Sequence, residues 1–219
     1  MEIPVNIGID EAGRGCAWGS VFAGAVVLPD HLSIEDEMDP LHKQLLRDSK
    51  KLSKKRRMEA RELIHSEAIA YATGETTANE IDTVNILNAT FTAMHRAIDK
   101  CIEMLNEKSN DGIKYVVNEI LVDGNRFRLY IDGDGEPINH QCIVGGDASE
   151  RCIAAASILA KTSRDMYIDN MVEIDPDIDE KWGMLKHKGY CTKQHITALR
   201  EHGCHPMHRK SYGPVKAVM

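Results

Sequence analysis

Hydrophobic residues alternate with small or polar ones through Val5–Asp10 (V-N-I-G-I-D), the two-residue period of a strand, and this strand ends on a carboxylate. After a glycine-rich turn, Val21–Leu28 is apolar almost throughout, which predicts a buried strand closed by Pro29. Asp30–Leu45 is polar and irregular, a loop or short helix, and Lys54–Ser66 carries a basic helical pattern. Alternation returns in Ala68–Thr76, a third strand. Ile81, Val84, Ile86, Leu87, Phe91, Met94 and Ile98 then recur at helical spacing and predict one long helix over Ala78–Leu105. Tyr115–Asp123 is an apolar strand finishing on a second acid, with shorter strands at Tyr130–Ile131 and Gln141–Val144. Arg151–Ile168 reads as an Ala-rich amphipathic helix and His195–Glu201 as a last short one. Strands interleaved with helices predict an α/β domain around a mixed central sheet, and chemistry in such sheets gathers at strand ends. The tail, richer in Gly, His and Lys, divides the chain into a body, residues 1–182, and an extension of the same domain, residues 183–219.

Composition changes this picture little. A length of 219 residues suits one domain, and with aromatics at 5% the core must be built from Val, Ile, Leu, Ala and Met. No apolar run reaches the roughly 20 residues that span a membrane, and MEIPVNIGID has neither a charged lead nor a small-residue cleavage site. A cytoplasmic monomer without membrane contact is expected. Cys16, Cys101, Cys142, Cys152, Cys191 and Cys204 form no CxxC pair, so free thiols are expected. Cys191, His195, Cys204 and His208 have zinc-like spacing at each end, but the alternating order and the ample core elsewhere argue against a structural metal.

Charge changes it more. The net charge of −7 is concentrated in Asp30–Asp39 and Glu173–Glu180, which hold five acids each; the remainder of the chain is at +3. Residues 181–219 carry eight Lys or Arg, five His and a single acid, Glu201, and KKLSKKRR fills Lys50–Arg57. Local basic patches rather than net charge decide where a phosphate backbone docks. Either run could also be an ordinary solvated face.

Asp10 and Glu11 stand side by side at the end of a buried strand, where neighbouring like charges disfavour ionisation unless something neutralises them. A divalent cation with hard oxygen ligands does so. Alternatively, Glu11 points to solvent and Asp10 caps a turn. Asp123 ends a core strand and Asp147 sits in V-G-G-D before the Ala-rich helix, where it could equally be an N-cap. Four acids at the ends of core elements, with no Cys/His cluster among them, suit a two-metal phosphodiesterase site.

The motifs G-I-D-E-A-G-R-G (Gly8–Gly15), D-S-K-K-L-S (Asp48–Ser53), I-D-x-x-N-I-L-N-A (Ile81–Ala89) and L-V-D-G-N-R (Leu121–Arg126) resemble those of bacterial ribonuclease HII. So do G-D-A (Gly146–Ala148), I-A-A-A-S-I-L-A-K (Ile153–Lys161) and K-G-Y-x-T-K-x-H (Lys188–His195). They keep the family's order from Gly8 to about Gly213. The resemblance implies a ribonuclease H-like fold, a mixed sheet flanked by helices with a small C-terminal helical extension. It implies endonucleolytic cleavage of RNA in RNA–DNA hybrids and at single ribonucleotides in duplex DNA, with two Mg²⁺ or Mn²⁺ ions, leaving 5′-phosphate and 3′-hydroxyl ends. By matching motif, Asp10, Glu11, Asp123 and Asp147 become catalytic metal ligands. Gly13, Arg14 and Gly15 become the loop that reads the ribose 2′-hydroxyl, Tyr190 a ring stacked on the next sugar, and Lys50, Lys51, Lys161 and Lys193 phosphate contacts.

Trp18, Ser20, Gly145 and Cys152 depart from the family's usual residues, and none removes a ligand. Ribonuclease HIII is disfavoured by the G-R-G loop, and a non-catalytic hybrid-binding protein by the presence of all four acids. Asp132–Glu136 (D-G-D-G-E) lacks the rest of a calcium loop and predicts a hairpin turn.

Overall fold

The computed structural model describes residues 1–34, 36, 38–47, 49–109 and 112–219. Glu35 and Glu37 of the first acidic stretch, and Asp48 of the D-S-K-K-L-S motif, lie outside the described residues. A five-stranded sheet has the order β3 (Ala70–Thr76), β2 (Val21–Val27), β1 (Glu2–Ala12), β4 (Lys114–Asp123), β7 (His140–Ile143). β1 runs antiparallel to β2 and parallel to β4, β2 is antiparallel to β3, and β4 is parallel to β7, so the sheet is mixed, as expected. β5 (Tyr130–Ile131) and β6 (Pro137–Ile138) form a separate hairpin. The D-G-D-G-E turn closes it, with Asp132 Oδ1 accepting the amides of Asp134 and Glu136.

Alternation along the strands sends side chains to two faces. Ile7, Ile9, Ile120 and Val122 face α5 (Ile86–Lys108) in one core. The opposite face is covered by α7 (Arg151–Ile174), backed by α3 (Lys54–Glu67). α7 approaches closely because β1 and β2 present glycine there. A Cβ on Gly8 would lie 2.2 Å from the Cys152 carbonyl carbon, and one on Gly24 2.3 Å from the Ala156 oxygen.

The structure corrects one predicted element. The helix expected over Ala78–Leu105 is two: α4 (Ala78–Val84) and α5, separated at Asn85, whose φ of +67° no helix interior tolerates. Asn85 caps α5 by accepting the Asn88 amide at 3.1 Å. An i, i+4 pattern that continues across a break conceals it, although Val84 is exposed. Between the strands and helices already introduced lie the short helices α1 (Asp30–Ser33), α2 (Pro40–Leu45) and α6 (Gly146–Ser149). The tail adds α8 (Asp177–Trp182), α9 (Met184–His187), α10 (Lys193–His202) and α11 (Gly213–Lys216). Trp182, Met184, Leu199 and Val215 pack with Trp18 and Ile168 into a third core, so the tail is anchored to the turn after β1 and to α7. Among the described residues no helix is long and apolar enough to cross a membrane.

Candidate active site

Register brings the acids together. Gly8 pairs Leu121 and Ile9 pairs Val122, so Asp10 and Asp123 follow at the C-terminal ends of adjacent parallel strands, on the α7 face. Asp10 is 5% exposed; its Oδ1 accepts the Glu11 amide at 2.7 Å, and Ser157 of α7 hydrogen-bonds it. Asp123 Oδ1 accepts the Gly146 amide at 2.8 Å, which ties β4 to the turn carrying Asp147. Asp147 is buried in α6, and its Oδ2 takes Lys50 Nζ at 3.3 Å rather than capping a helix. Glu11 is bridged by Arg14 Nη1 at 3.0 Å.

Lys50 and Arg14 offset only part of the negative charge of these carboxylates. Burial, then Glu11 and Asp123, pushes the Asp10 carboxyl well above the usual range. Burial raises Glu11 against the pull of Arg14, and burial followed by Asp147 raises Asp123. Among the described residues no three His, Cys, Asp or Glu side chains are already grouped to hold an ion; Asp147 and Glu11 are turned to Lys50 and Arg14. The donor chemistry, hard carboxylate oxygens whose ionised form awaits a cation, fits Mg²⁺ or Mn²⁺.

A cleft of about 250 Å³ lies over Asp10, Glu11 and Asp123, walled by Gly13–Gly15, Ser49, Lys50, Ser157, Lys161 and Tyr190. The cleft thus gathers nine of the twelve predicted site residues; Asp147 does not line it and is tied to it through Lys50. Tyr190, 46% exposed, is bridged through its backbone to Cys16, and its ring stands over Gly15, where an added Cβ would be 3.7 Å away. Lys161 pairs with Asp165 at 2.7 Å. Lys193 lies outside the carboxylate cleft, in an adjoining depression with Lys161, Lys186, Lys188 and Tyr190. Lys51 is exposed in the turn Ser49–Lys51 and does not line the cleft. A larger cavity, about 810 Å³, lies between α5, β4 and the hairpin; the loops carrying Gly13 and Lys50 do not reach it.

Two buried guanidinium groups that the sequence reading missed hold the glycine loop. Arg209, fully buried, donates to the carbonyls of Gly19 (2.7 Å), Gly13 (2.8 Å) and Arg14 (3.2 Å). Arg164, 1% exposed, donates to Ser20, Trp18 and Lys188 carbonyls and packs under Gly13, whose φ of +98° requires glycine. The Tyr212 hydroxyl also donates to the Arg14 carbonyl. A trans peptide points its C=O and N–H in opposite directions. With the Gly13 and Arg14 carbonyls held inward, the amides of Arg14 and Gly15 face away from Arg209. The sequence leaves the basic tail open as a docking patch or a solvated face; only burial reveals that Arg209 is internal.

His195 and His208 of the zinc-like pattern meet each other, Nε2 to Nε2 at 3.0 Å, while Cys204 Sγ lies against the Val215 carbonyl.

A mixed sheet of this order, flanked by helices and ending in carboxylates, defines a class: nucleases of ribonuclease H-like fold. The family described as Ribonuclease HII matches residues 7–215. The Ribonuclease HII of Phocaeicola vulgatus is 43% identical over 208 residues, covering 95% of this chain and 89% of its own. The chain belongs to the ribonuclease HII family. The fold is shared with the ribonuclease H2 of Pyrococcus horikoshii OT3, with a TM-score of 0.65 at 22% identity, covering 98% of this chain and 96% of that one. It is also shared with Bst-RNase HIII in complex with Mn²⁺, with a TM-score of 0.65 at 16% identity, covering 98% of this chain and 68% of that one.

Proposed function

We propose that the protein hydrolyses the RNA strand of RNA–DNA hybrids endonucleolytically and cuts on the 5′ side of single ribonucleotides embedded in duplex DNA, leaving 5′-phosphate and 3′-hydroxyl ends. The observation that carries this reading is the single cleft shared by Asp10, Glu11 and Asp123 with the Gly13–Gly15 loop and Tyr190. A pair of Mg²⁺ or Mn²⁺ ions on Asp10, Glu11, Asp123 and Asp147 would supply positive charge beyond that of Arg14 and Lys50 and the Lewis acidity that makes water nucleophilic at neutral pH. Asp10, the most buried of the acids and a neighbour of both Glu11 and Asp123, is the candidate that would serve both ions. The Mn²⁺ complex of Bst-RNase HIII supports that choice of metals.

The chain's own residues do the recognition. Outward amides of Arg14 and Gly15 offer donors to a ribose 2′-hydroxyl, the group that separates RNA from DNA. The half-exposed Tyr190 ring offers an apolar face to the following deoxyribose, and Lys50 and Lys161 at the cleft, with Lys51 and Lys193 beside it, offer charge to phosphates. Residues 183–219 act as the substrate-binding extension of the catalytic body, residues 1–182, and the protein works as a cytoplasmic monomer in removing ribonucleotides from DNA.

Asp10→Asn tests the assignment of the acids. We expect cleavage to fall on the order of 10⁴-fold with Mg²⁺ or Mn²⁺, while affinity for an RNA–DNA hybrid in a gel-shift assay stays within about threefold. Full cleavage by that variant contradicts the metal-ligand assignment.

A further inference from the structure

Tyr190 sits in a stretch whose backbone needs external support. Lys188 has φ +52° and Gly189 φ +81°, two successive left-handed residues of which the first is not glycine. Three buried imidazoles supply that support. The Gly189 amide donates to His187 Nδ1 at 3.2 Å, and the Tyr190 carbonyl accepts from His195 Nδ1 at 3.0 Å as well as from the Thr192 amide at 2.7 Å. His187 and His195 are stacked, with centroids 4.6 Å apart and planes at 16°.

The proton positions follow from the two ends of the chain of contacts. The His205 amide can only donate, and it lies 2.8 Å from His208 Nδ1, whereas the His205 carbonyl lies 3.3 Å from the same nitrogen; the shorter contact assigns Nδ1 as the acceptor, without a proton. A neutral His208 then holds its proton on Nε2 and donates it to His195 Nε2. At the other end the Tyr190 carbonyl can only accept, so His195 carries its proton on Nδ1 and leaves Nε2 free to receive. Both ends demand the same assignment, and it leaves both rings neutral. His187 is fixed likewise: Nδ1 accepts from Gly189, so Nε2–H donates to the Trp182 carbonyl at 2.6 Å.

We propose that His195 and His208 are positioning residues for Tyr190: an ordered two-imidazole relay runs from the His205 amide to the Tyr190 carbonyl and fixes where the tyrosine ring stands at the cleft. The relay rests on the reading of Tyr190 as a substrate contact. It also gives the His195/His208 half of the zinc-like pattern a role without a metal. Burial supports it by holding His195 and His208 down to about 4 and about 3, which keeps the rings uncharged at neutral pH.

Imidazole ¹⁵N NMR of the unaltered protein at pH 7.5 reads the relay directly. The expected result is a proton on Nδ1 of His195 and on Nε2 of His208; the opposite tautomer or an imidazolium at either ring overturns the proposal. Kinetics on a duplex with one ribonucleotide read its purpose. H195L should raise KM about fivefold with kcat within about twofold, and H195N, whose amide nitrogen stands where Nδ1 did, should restore KM. Equal KM in H195L, or no rescue by H195N, overturns the relay, and the tautomers decide the matter if H195L does not fold. Y190A separates the two levels: unchanged KM in Y190A sinks the reading of Tyr190 itself, whereas a rise in Y190A but not in H195L sinks the relay alone. In a double variant the two effects should not add.

Discussion

Arg209 belongs to no motif that carried the family resemblance, yet it grips three carbonyls of the loop proposed to read ribose. Tyr212 completes the grip through its hydroxyl, which donates to Arg14 and accepts from Arg209 at 3.0 Å. Removing that hydroxyl leaves the ring in place and loosens one carbonyl, a change worth about 1 kcal/mol. Tyr212→Phe in an Asp10→Asn background should therefore lose about fivefold in preference for a ribonucleotide-containing duplex over all-DNA, with all-DNA affinity unchanged. Fluorescence anisotropy measures both affinities, and an unaltered preference would contradict the grip. At this scale the meeting of Asp10, Glu11 and Asp123 was legible because strand patterns carry them to one end of the sheet, whereas Asp147 lies in the short helix α6, outside the lining of the cleft. Arg164 and Arg209 were not legible, since a buried arginine and a phosphate-binding one look alike in sequence; only the ring of carbonyl acceptors tells them apart.

The elements show why the motifs lie where they do. Gly8 opens G-I-D-E-A-G-R-G not for the loop but for α7, which presses its backbone against that position. Gly8→Ala should cost on the order of 1–3 kcal/mol as the helix is forced away, read as a lower urea midpoint, and it should also misplace Ser157 against Asp10. A midpoint within error of the unaltered protein would show that the helix yields freely. Asp82 of the I-D-x-x-N motif accepts the amides of Lys210 and Ser211, both at 2.8 Å, so α4 fastens the segment that delivers Arg209. Alternation predicted β1 and β3, and apolar runs predicted β2 and β4, to within a few residues. The break at Asn85 was hidden because the hydrophobic period survives it; positive φ leaves no mark on periodicity.

Over the whole molecule, the acidic net charge proved no guide to the cleft. Part of the basic run Lys50–Arg57 is structural, with Arg57 donating to the Ser49 and Leu52 carbonyls and Lys54 pairing with Asp169. The tail's charge is likewise partly internal. Its buried histidines set the acid response. His195 and His208, neutral in the fold and held to about 4 and about 3, bind protons in the unfolded chain below about 6.5. The unfolded state then holds more protons, so stability should fall as pH drops from about 6.5 towards 4 and stay level on this account above it. Glu80, lowered to about 2 by Arg96 and the Thr77 amide, adds a loss in the same direction below about 4.5. The raised carboxyls of Asp10, Glu11 and Asp123 act in the opposite sense, so the check compares urea midpoints of the unaltered protein and His208→Gln between pH 7.5 and 4.5; an acid-side loss no smaller in the variant would contradict neutral buried rings.

The central claim is that one cleft both cuts and reads ribose, and a duplex carrying a single ribonucleotide tests it most directly. With Mg²⁺ or Mn²⁺, the account predicts one cut, on the 5′ side of the ribonucleotide, leaving 3′-hydroxyl and 5′-phosphate ends, with no cut in the all-DNA duplex. Cleavage of long RNA–DNA hybrids without cleavage of that duplex would contradict the roles given to Gly13–Gly15 and Tyr190.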